Sequence, residues 1–365
     1  MRELKIGNLK IKTPVIQGGM GVCISLSGLA SAVANEGGVG VISAVGIGMT
    51  ETGYRNNFRE CNKIALRKEI RKAKQKSDGV LGVNIMLAVS DFDDLLRISL
   101  EEKVDIVFLT AGLPLKKPDI DFEILENTST KFIPKVSSAR AASLIFNHWD
   151  DKYNRIPDGI VVEGPLSGGH LGFRRKVLES DIIPLSSLIK DTIKELELLS
   201  LKYEKKIPVI AAGGIYTGKD MFEIMEAGAS AVKMGTRFVT TQECDASDQF
   251  KKNYLKCNKE DITLIDSPVG LPGRVISNKF VQQIKQGIQK PVNCPWKCLK
   301  TCNFATVSFC IAEALFNAAK GNFHSGFSFA GAKAYLAKEI ISVHDTFRNL
   351  KKEFQKASVK LESVC

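Results

Sequence analysis

From residue 14 to about 240, short apolar runs alternate with helical patterns, and this alternation dominates the chain. Pro14-Val15-Ile16-Gln17 predicts a first strand, closed by Gly18-Gly19-Met20-Gly21. Residues 26–35 predict a helix that Gly37-Gly38 stops. Residues 39–44 predict the second strand, 46–57 a long loop and 63–76 a basic helix. Strands three to six are predicted at 81–86, 105–109, 132–136 and 159–163, with helices over 91–102, 139–149 and 184–204. The seventh strand is predicted at Ile207-Pro208-Val209-Ile210, ending in Ala211-Ala212-Gly213-Gly214-Ile215. The eighth runs through Ala231-Val232 into Lys233-Met234-Gly235-Thr236-Arg237-Phe238, with an amphipathic helix over 217–228 between them. Val/Ile runs without polar alternation belong to a parallel sheet buried on both faces. Eight such units favour a closed (β/α)8 TIM barrel over an open doubly wound sheet.

After residue 240 the alternation stops. Residues 241 to about 310 are polar, basic and cysteine-bearing, whereas 312–320 and 330–339 read as helices flanking Gly321-Asn322-Phe323-His324-Ser325-Gly326. The expected organisation is an α/β barrel core over 1–240, a mostly helical C-terminal cap with closing helices over 241–345, and a basic tail over 346–365.

Hydrophobic content of 44% and charged content of 25% are ordinary for a globular chain. No apolar stretch approaches the ~20 residues that cross a bilayer. Met1-Arg2-Glu3-Leu4-Lys5-Ile6 lacks a signal-peptide core, so the expected location is cytoplasmic, with no membrane partner. The net charge of +11, from 51 basic and 40 acidic residues, is dispersed, as in Glu69-Ile70-Arg71-Lys72-Ala73-Lys74. That is the pattern of a solvated helix face. Basic residues do not interleave with aromatics, so nucleic acid is not an expected partner. An anionic substrate or cofactor fits the excess better. The nine cysteines are an odd number and do not suggest a disulfide framework.

Chemistry gathers at strand ends. Glycines at the ends of strands seven and eight let a phosphate approach the backbone, where this fold usually holds one. Two tight left-handed turns would use the same glycines. The loop after strand six reads Glu163-Gly164-Pro165-Leu166-Ser167-Gly168-Gly169-His170-Leu171-Gly172 and carries His170, a candidate general base. The other reading of His170 is a loop histidine capping a carbonyl. In strand one, Gly18 and Gly19 would let amides approach a flat ring, and Met20 offers a soft apolar contact. Asn84 is a polar residue in a run that should be buried, and it needs either a ligand or an internal partner.

Taken in order, Pro14 to Met20, Gly82-Val83-Asn84, Glu163 to Gly172, Ala211 to Ile215 and Met234 to Phe238 resemble the nitronate monooxygenases, formerly 2-nitropropane dioxygenases. That family also includes flavin-dependent enoyl-acyl-carrier-protein reductases. The resemblance implies FMN, with its phosphate on Gly213, Gly214, Gly235 and Thr236 and with Ser167 and Gly168 nearby. Met234 joins the cofactor set. The ring would lie against Gly18, Gly19 and Met20, with Asn84 at its polar edge and His170 as the catalytic residue. Glu163 stands where many relatives have glutamine, and an ionised carboxylate can accept but not donate. The activity so implied is oxidation of an alkyl nitronate with O2 to a carbonyl compound and nitrite. The alternative is reduction of an enoyl thioester by NAD(P)H. A homodimer is compatible with either.

Cys294-Pro295-Trp296-Lys297-Cys298-Leu299-Lys300-Thr301-Cys302, with Cys310 beyond, departs from that resemblance. On a helix the spacing of four would align three thiols on one stripe. They could serve a metal or redox-sensing role, but the spacing matches no standard zinc or ferredoxin pattern, and small packing residues in the cap are the plainer reading. No metal ligand is therefore assigned.

Overall fold

The computed structural model describes residues 1–120, 128–179, 183–288, 292–294 and 296–362. The chain opens with an antiparallel hairpin, β1 (Leu4–Ile6) and β2 (Leu9–Ile11). The barrel follows with β3 (Val15–Gln17), β4 (Val39–Ser43), β5 (Val80–Met86), β6 (Ile106–Thr110), β7 (Lys131–Val136) and β8 (Ile160–Glu163). A two-residue strand outside the barrel, β9 (Gly169–His170), precedes the last barrel strands, β10 (Val209–Ala212) and β11 (Ala231–Met234). The eight barrel strands are parallel and closed: Ile210 lies opposite Ala231, and Val232 opposite Val15.

The closed barrel follows from the Val/Ile runs, because both faces of each strand are buried. Ile16, Val41, Phe108, Ile133, Val161 and Ile210 fill the interior and meet Leu4, Ile6 and Ile11 of the hairpin. The hairpin thereby plugs the N-terminal end, and a ligand can enter only at the other. Outward-facing residues pack against helices through Leu29, Leu95, Phe146, Ile189 and Met221, among others. Each such side chain contributes roughly 1.5–3 kcal/mol by burial.

Local chemistry sets the helix ends. The Ser138 hydroxyl accepts the Ala141 amide (3.2 Å) at the start of helix Ala139–Tyr153. Thr217 and Asp220 form a reciprocal capping box for helix Gly218–Glu226. Residues 184–204, read as one helix, divide into Leu185–Glu195 and Glu197–Lys202.

The C-terminal part is less helical than the sequence suggests. Helix Asp248–Leu255 is followed by β12 (Ile262–Asp266) and β13 (Pro272–Ile276), which pair antiparallel. β13 also pairs with β9, so the loop after β8 is stitched into the cap. Residues 330–339 form only a short 3-10 turn, Ala334–Leu336. Their backbone bonds go to other parts of the fold instead: Ala330 N–H donates to Arg274 O (3.0 Å), Gly331 N–H to Thr236 Oγ1 (3.0 Å) and Ala332 N–H to Leu166 O (3.0 Å). Residues 346–362, read as a tail, lie on helix Val343–Glu362, which packs on Gly218–Glu226 with Phe222 and Phe354 edge to face at 5.4 Å. The remainder of that expected tail lies outside the described residues. No helix among the described residues is long and apolar enough to cross a membrane.

Asp245 ties the cap to the barrel. Its carboxylate accepts the amides of Leu26 (2.7 Å), Gly28 (3.1 Å) and Leu29 (3.2 Å) at the start of helix Ser27–Asn35. Burial pushes its pKa up despite those bonds. Asp245→Ala should therefore cost about 2 kcal/mol, read as a lowered unfolding midpoint. An unchanged midpoint would show that the clamp contributes nothing.

Candidate active site

A cavity of about 670 Å3 occupies the C-terminal end of the barrel. Gly18, Gly19, Met20, Asn84, Glu163, Ser167, Gly168, His170, Gly213, Gly214, Met234, Gly235 and Thr236 all border it. Closing the barrel collects these residues from the ends of five strands, β3, β5, β8, β10 and β11. Val269, Leu271, Leu299, Ile311, Leu315 and Phe329 border it from the cap.

The glycines differ in why they must be small. A Cβ on Gly19 would fall 2.3 Å from Asn84 Cβ, and one on Gly18 would fall 3.2 Å from Gly235 Cα. Both are therefore needed for strand packing whether or not a ring lies above them. Gly213 (φ +97°) and Gly214 (φ +75°) are left-handed, and a Cβ on Gly214 would press on Leu166 at 2.9 Å. The tight-turn reading thus accounts for these two glycines by itself, and a side chain at either would strain the backbone. Gly235 is different. Its nearest neighbour for a Cβ is Met20 Sδ at 3.5 Å, an ordinary contact. Only the cavity is lost to a larger residue there.

His170 sits on β9, where β13 holds it in register opposite Gly273. Its Nε2 is 2.7 Å from Ser267 Oγ, and its ring meets Phe329 edge to face at 4.8 Å. The Ser267 hydroxyl accepts the Val269 amide (3.3 Å) and can donate to Nε2, which leaves the ring proton on Nδ1. His170 is half-buried and borders the cavity. Burial, helped by the positive charge of Lys135, pushes its pKa down to about 4. The imidazole is therefore neutral near pH 7. Buried Arg274 holds the same loop by donating from Nη1 to the carbonyls of Pro165 (2.7 Å) and Ser167. Ser267, Arg274 and Phe329 were not found from sequence, because each lies about 100 residues or more from the loop it serves.

The floor is charged. Glu163, buried, accepts from Lys135 Nζ at 2.7 Å, so one carboxylate oxygen is already engaged. Asn84 donates to Thr110 Oγ1 (3.1 Å), the internal partner its burial requires. Among the described residues Lys233 Nζ and Ser43 Oγ are buried without a hydrogen-bond partner, and both residues border the cavity. Neither lysine was singled out from sequence. The available signal was a charged residue inside an otherwise apolar strand run, which is the signal that picked Asn84.

These features fit a flavin nucleotide. Orphaned polar atoms on the floor call for a ligand with acceptors. The backbone at Gly235 leaves space at the usual phosphate position of the fold. The apolar walls suit a flat aromatic ring.

The described part of the cysteine segment, Cys294 and residues 296–302, is not helical. Residues 298–300 run alongside the loop after β5: Ser90 N–H donates to Cys298 O (2.9 Å), and Lys300 N–H to Ala88 O (2.8 Å). Those bonds replace the helical ladder the spacing assumed. Cys294, Cys298, Cys302 and Cys310 border one small cavity of about 20 Å3. Burial, with the neighbouring thiols, pushes the Cys298 thiol up to about 12. Among the described residues no group of three or more His, Cys, Asp or Glu side chains is arranged to hold a metal ion.

Sequence comparison matches residues 2–353 to the family described as nitronate monooxygenase. A 5-hydroxy-7a-methyl-1-oxo-octahydro-1H-indene-4-carboxyl-CoA dehydrogenase of Rhodococcus jostii is 28% identical over 75% of this chain, which spans 65% of that relative. A probable nitronate monooxygenase of Staphylococcus saprophyticus is 26% identical over 77% of this chain and 80% of its own length. Among solved structures, FabK from Thermotoga maritima is 29% identical with a TM-score of 0.74, covering 97% of this chain and 96% of that one.

Proposed function

The chain belongs to the nitronate monooxygenase family, and from that premise we propose that it holds FMN and oxidises alkyl nitronates with O2 to carbonyl compounds and nitrite. Gly213, Gly214, Gly235 and Thr236, with Ser167 and Gly168, would hold the phosphate. Gly18, Gly19, Met20 and Met234 would border the ring, with Asn84 at its polar edge. Bound flavin supplies the electron acceptance and the oxygen chemistry. The protein's own part is to admit, orient and desolvate the anion.

The observation that carries this reading is the pairing of charge with apolar wall. A neutral imidazole and the floor lysine Lys233, with Lys135 already paired to Glu163, border a cavity whose cap side carries Val269, Leu271, Leu299, Ile311, Leu315 and Phe329. Such a site suits a small anion with an alkyl tail. His170 would donate from Nδ1 to the anion, and Ser267 would hold the ring for that bond. A group whose conjugate acid has a pKa of about 4 is a weak base for an unactivated C–H. The pre-formed nitronate, rather than the neutral nitroalkane, is thus the better substrate, which narrows the base role expected for His170.

The near full-length likeness to FabK favours one second reading, NAD(P)H-dependent reduction of an enoyl thioester. An anaerobic reduction assay separates the two. Bleaching of the yellow protein by an alkyl nitronate, with nitrite released on admission of air, is the expected result. Fast bleaching by NADH or NADPH and recolouring by an enoyl thioester would replace the first reading with the second. A colourless protein that takes up no FMN would sink both.

A further inference from the structure

Strand β11 carries Lys233 into the barrel rather than out of it. β11 and β6 stand diametrically opposite in the ring of strands, and the ammonium nonetheless lies 3.8 Å above the Phe108 ring of β6. The side chain therefore reaches into the interior to meet the inward-pointing Phe108, and Lys233 borders the cavity there. It is 8% exposed, and among the described residues no hydrogen-bond acceptor reaches it. Two charged groups face it, Lys135 on β7 and Glu163 on β8. They are bonded to each other, so Glu163 is not free to neutralise it. Ser43 on β4, Asn84 on β5 and Thr110 on β6, which border the same cavity, are uncharged. Phe108 stabilises the cation modestly. A buried donor with no acceptor is costly unless a ligand completes it.

We infer that Lys233 is the counter-charge of the reduced flavin: it binds a proton as the ring gains electrons and releases that proton as the ring is reoxidised. The inference rests on the flavin reading above. The ring of an oxidised flavin is neutral. When it takes up two electrons and one proton, at N5, one negative charge remains on the ring. A second proton, taken from solvent by Lys233, balances that charge, so two electrons and two protons enter together and the site's net charge is unchanged. Burial, with the charge of Lys135, already pushes the lysine's pKa down to about 7. It therefore releases its proton near neutrality when no anion is present. An anionic ring nearby raises that value, and the proton returns. Lys233 is in this sense a positioning residue for charge, beside His170 rather than in place of it.

The test is spectroelectrochemical titration of the flavin-loaded protein from pH 6 to 9, comparing the unaltered protein, Lys233→Met and Lys233→Arg. Above about pH 7.5 the reduction equilibrium of the unaltered protein should fall about 100-fold per pH unit, or about 59 mV for two electrons. Lys233→Met should fall only about 10-fold per unit, about 30 mV, and be at least 10-fold harder to reduce at pH 7.5. Lys233→Arg, permanently charged, should show the shallow slope but recover the easier reduction. Identical slopes and potentials in the unaltered protein and Lys233→Met, with flavin bound in both, would overturn the inference and leave the flavin reading intact. Failure of the unaltered protein to bind flavin would overturn both.

Discussion

Gly235→Val should leave the barrel folded and lower FMN affinity by about 100-fold or more, a loss of roughly 3 kcal/mol in anion hydrogen bonding. The reasoning is steric and local. Gly235 has φ −98°, which any residue tolerates, and a Cβ there meets only Met20 Sδ at 3.5 Å. The first added carbon is therefore accommodated, and the methyls beyond it crowd the cavity that Gly235 borders. Gly214→Val would be a poor substitute, because its positive φ and its contact with Leu166 would damage the fold directly. The measurement is flavin titration by fluorescence alongside thermal unfolding. Unaltered affinity with an unaltered midpoint would mean that the phosphate lies elsewhere.

The second large effect belongs to His170. His170→Ala should retain flavin yet lower kcat/KM for a pre-formed nitronate by roughly 100-fold, the usual scale for loss of one oriented proton-bearing group. Neutral nitroalkane should react no faster than it ionises in solution, in either protein. In the unaltered enzyme the imidazole stays neutral down to about pH 4, so activity on a pre-formed nitronate should show no inflection near the ordinary histidine value of about 6.5. Stability follows the same group with a definite sign. Its folded pKa lies below the ordinary histidine value, so the unfolded chain takes up the proton first. Stability is lost as pH falls from about 6.5 towards 4, and His170→Ala lacks that loss. Rapid turnover of neutral nitroalkane by the unaltered enzyme, abolished in the variant while nitronate turnover survives, would restore the general-base role.

How much of the site was legible depended on the kind of signal each residue carries. Glycines at strand ends and a histidine between glycines stand out against apolar runs, and barrel closure brings them together without further instruction. Lys135 and Lys233 carried the same kind of signal as Asn84, but a lone lysine in a basic chain reads as surface until its strand is known to be buried on both faces. The cysteine spacing misled for the opposite reason. A four-residue period implies a stripe only on a helix, and residues 298–300 spend their backbone bonds on residues 88–90 instead.

By itself the sequence determined the barrel, because eight doubly apolar runs alternating with amphipathic helices have few other ways to bury their surface. It also determined which strand ends would face a ligand, since side-chain period and strand direction are local properties. The tertiary structure alone decided the electrostatics. It alone put Ser267 on His170, closed Arg274 over the loop after β8, set Lys135 against Glu163 and left Lys233 inside the barrel with no hydrogen-bond partner among the described residues. Protonation states depend on desolvation and on charges a few ångströms away, and those distances exist only after segments remote in the chain have packed.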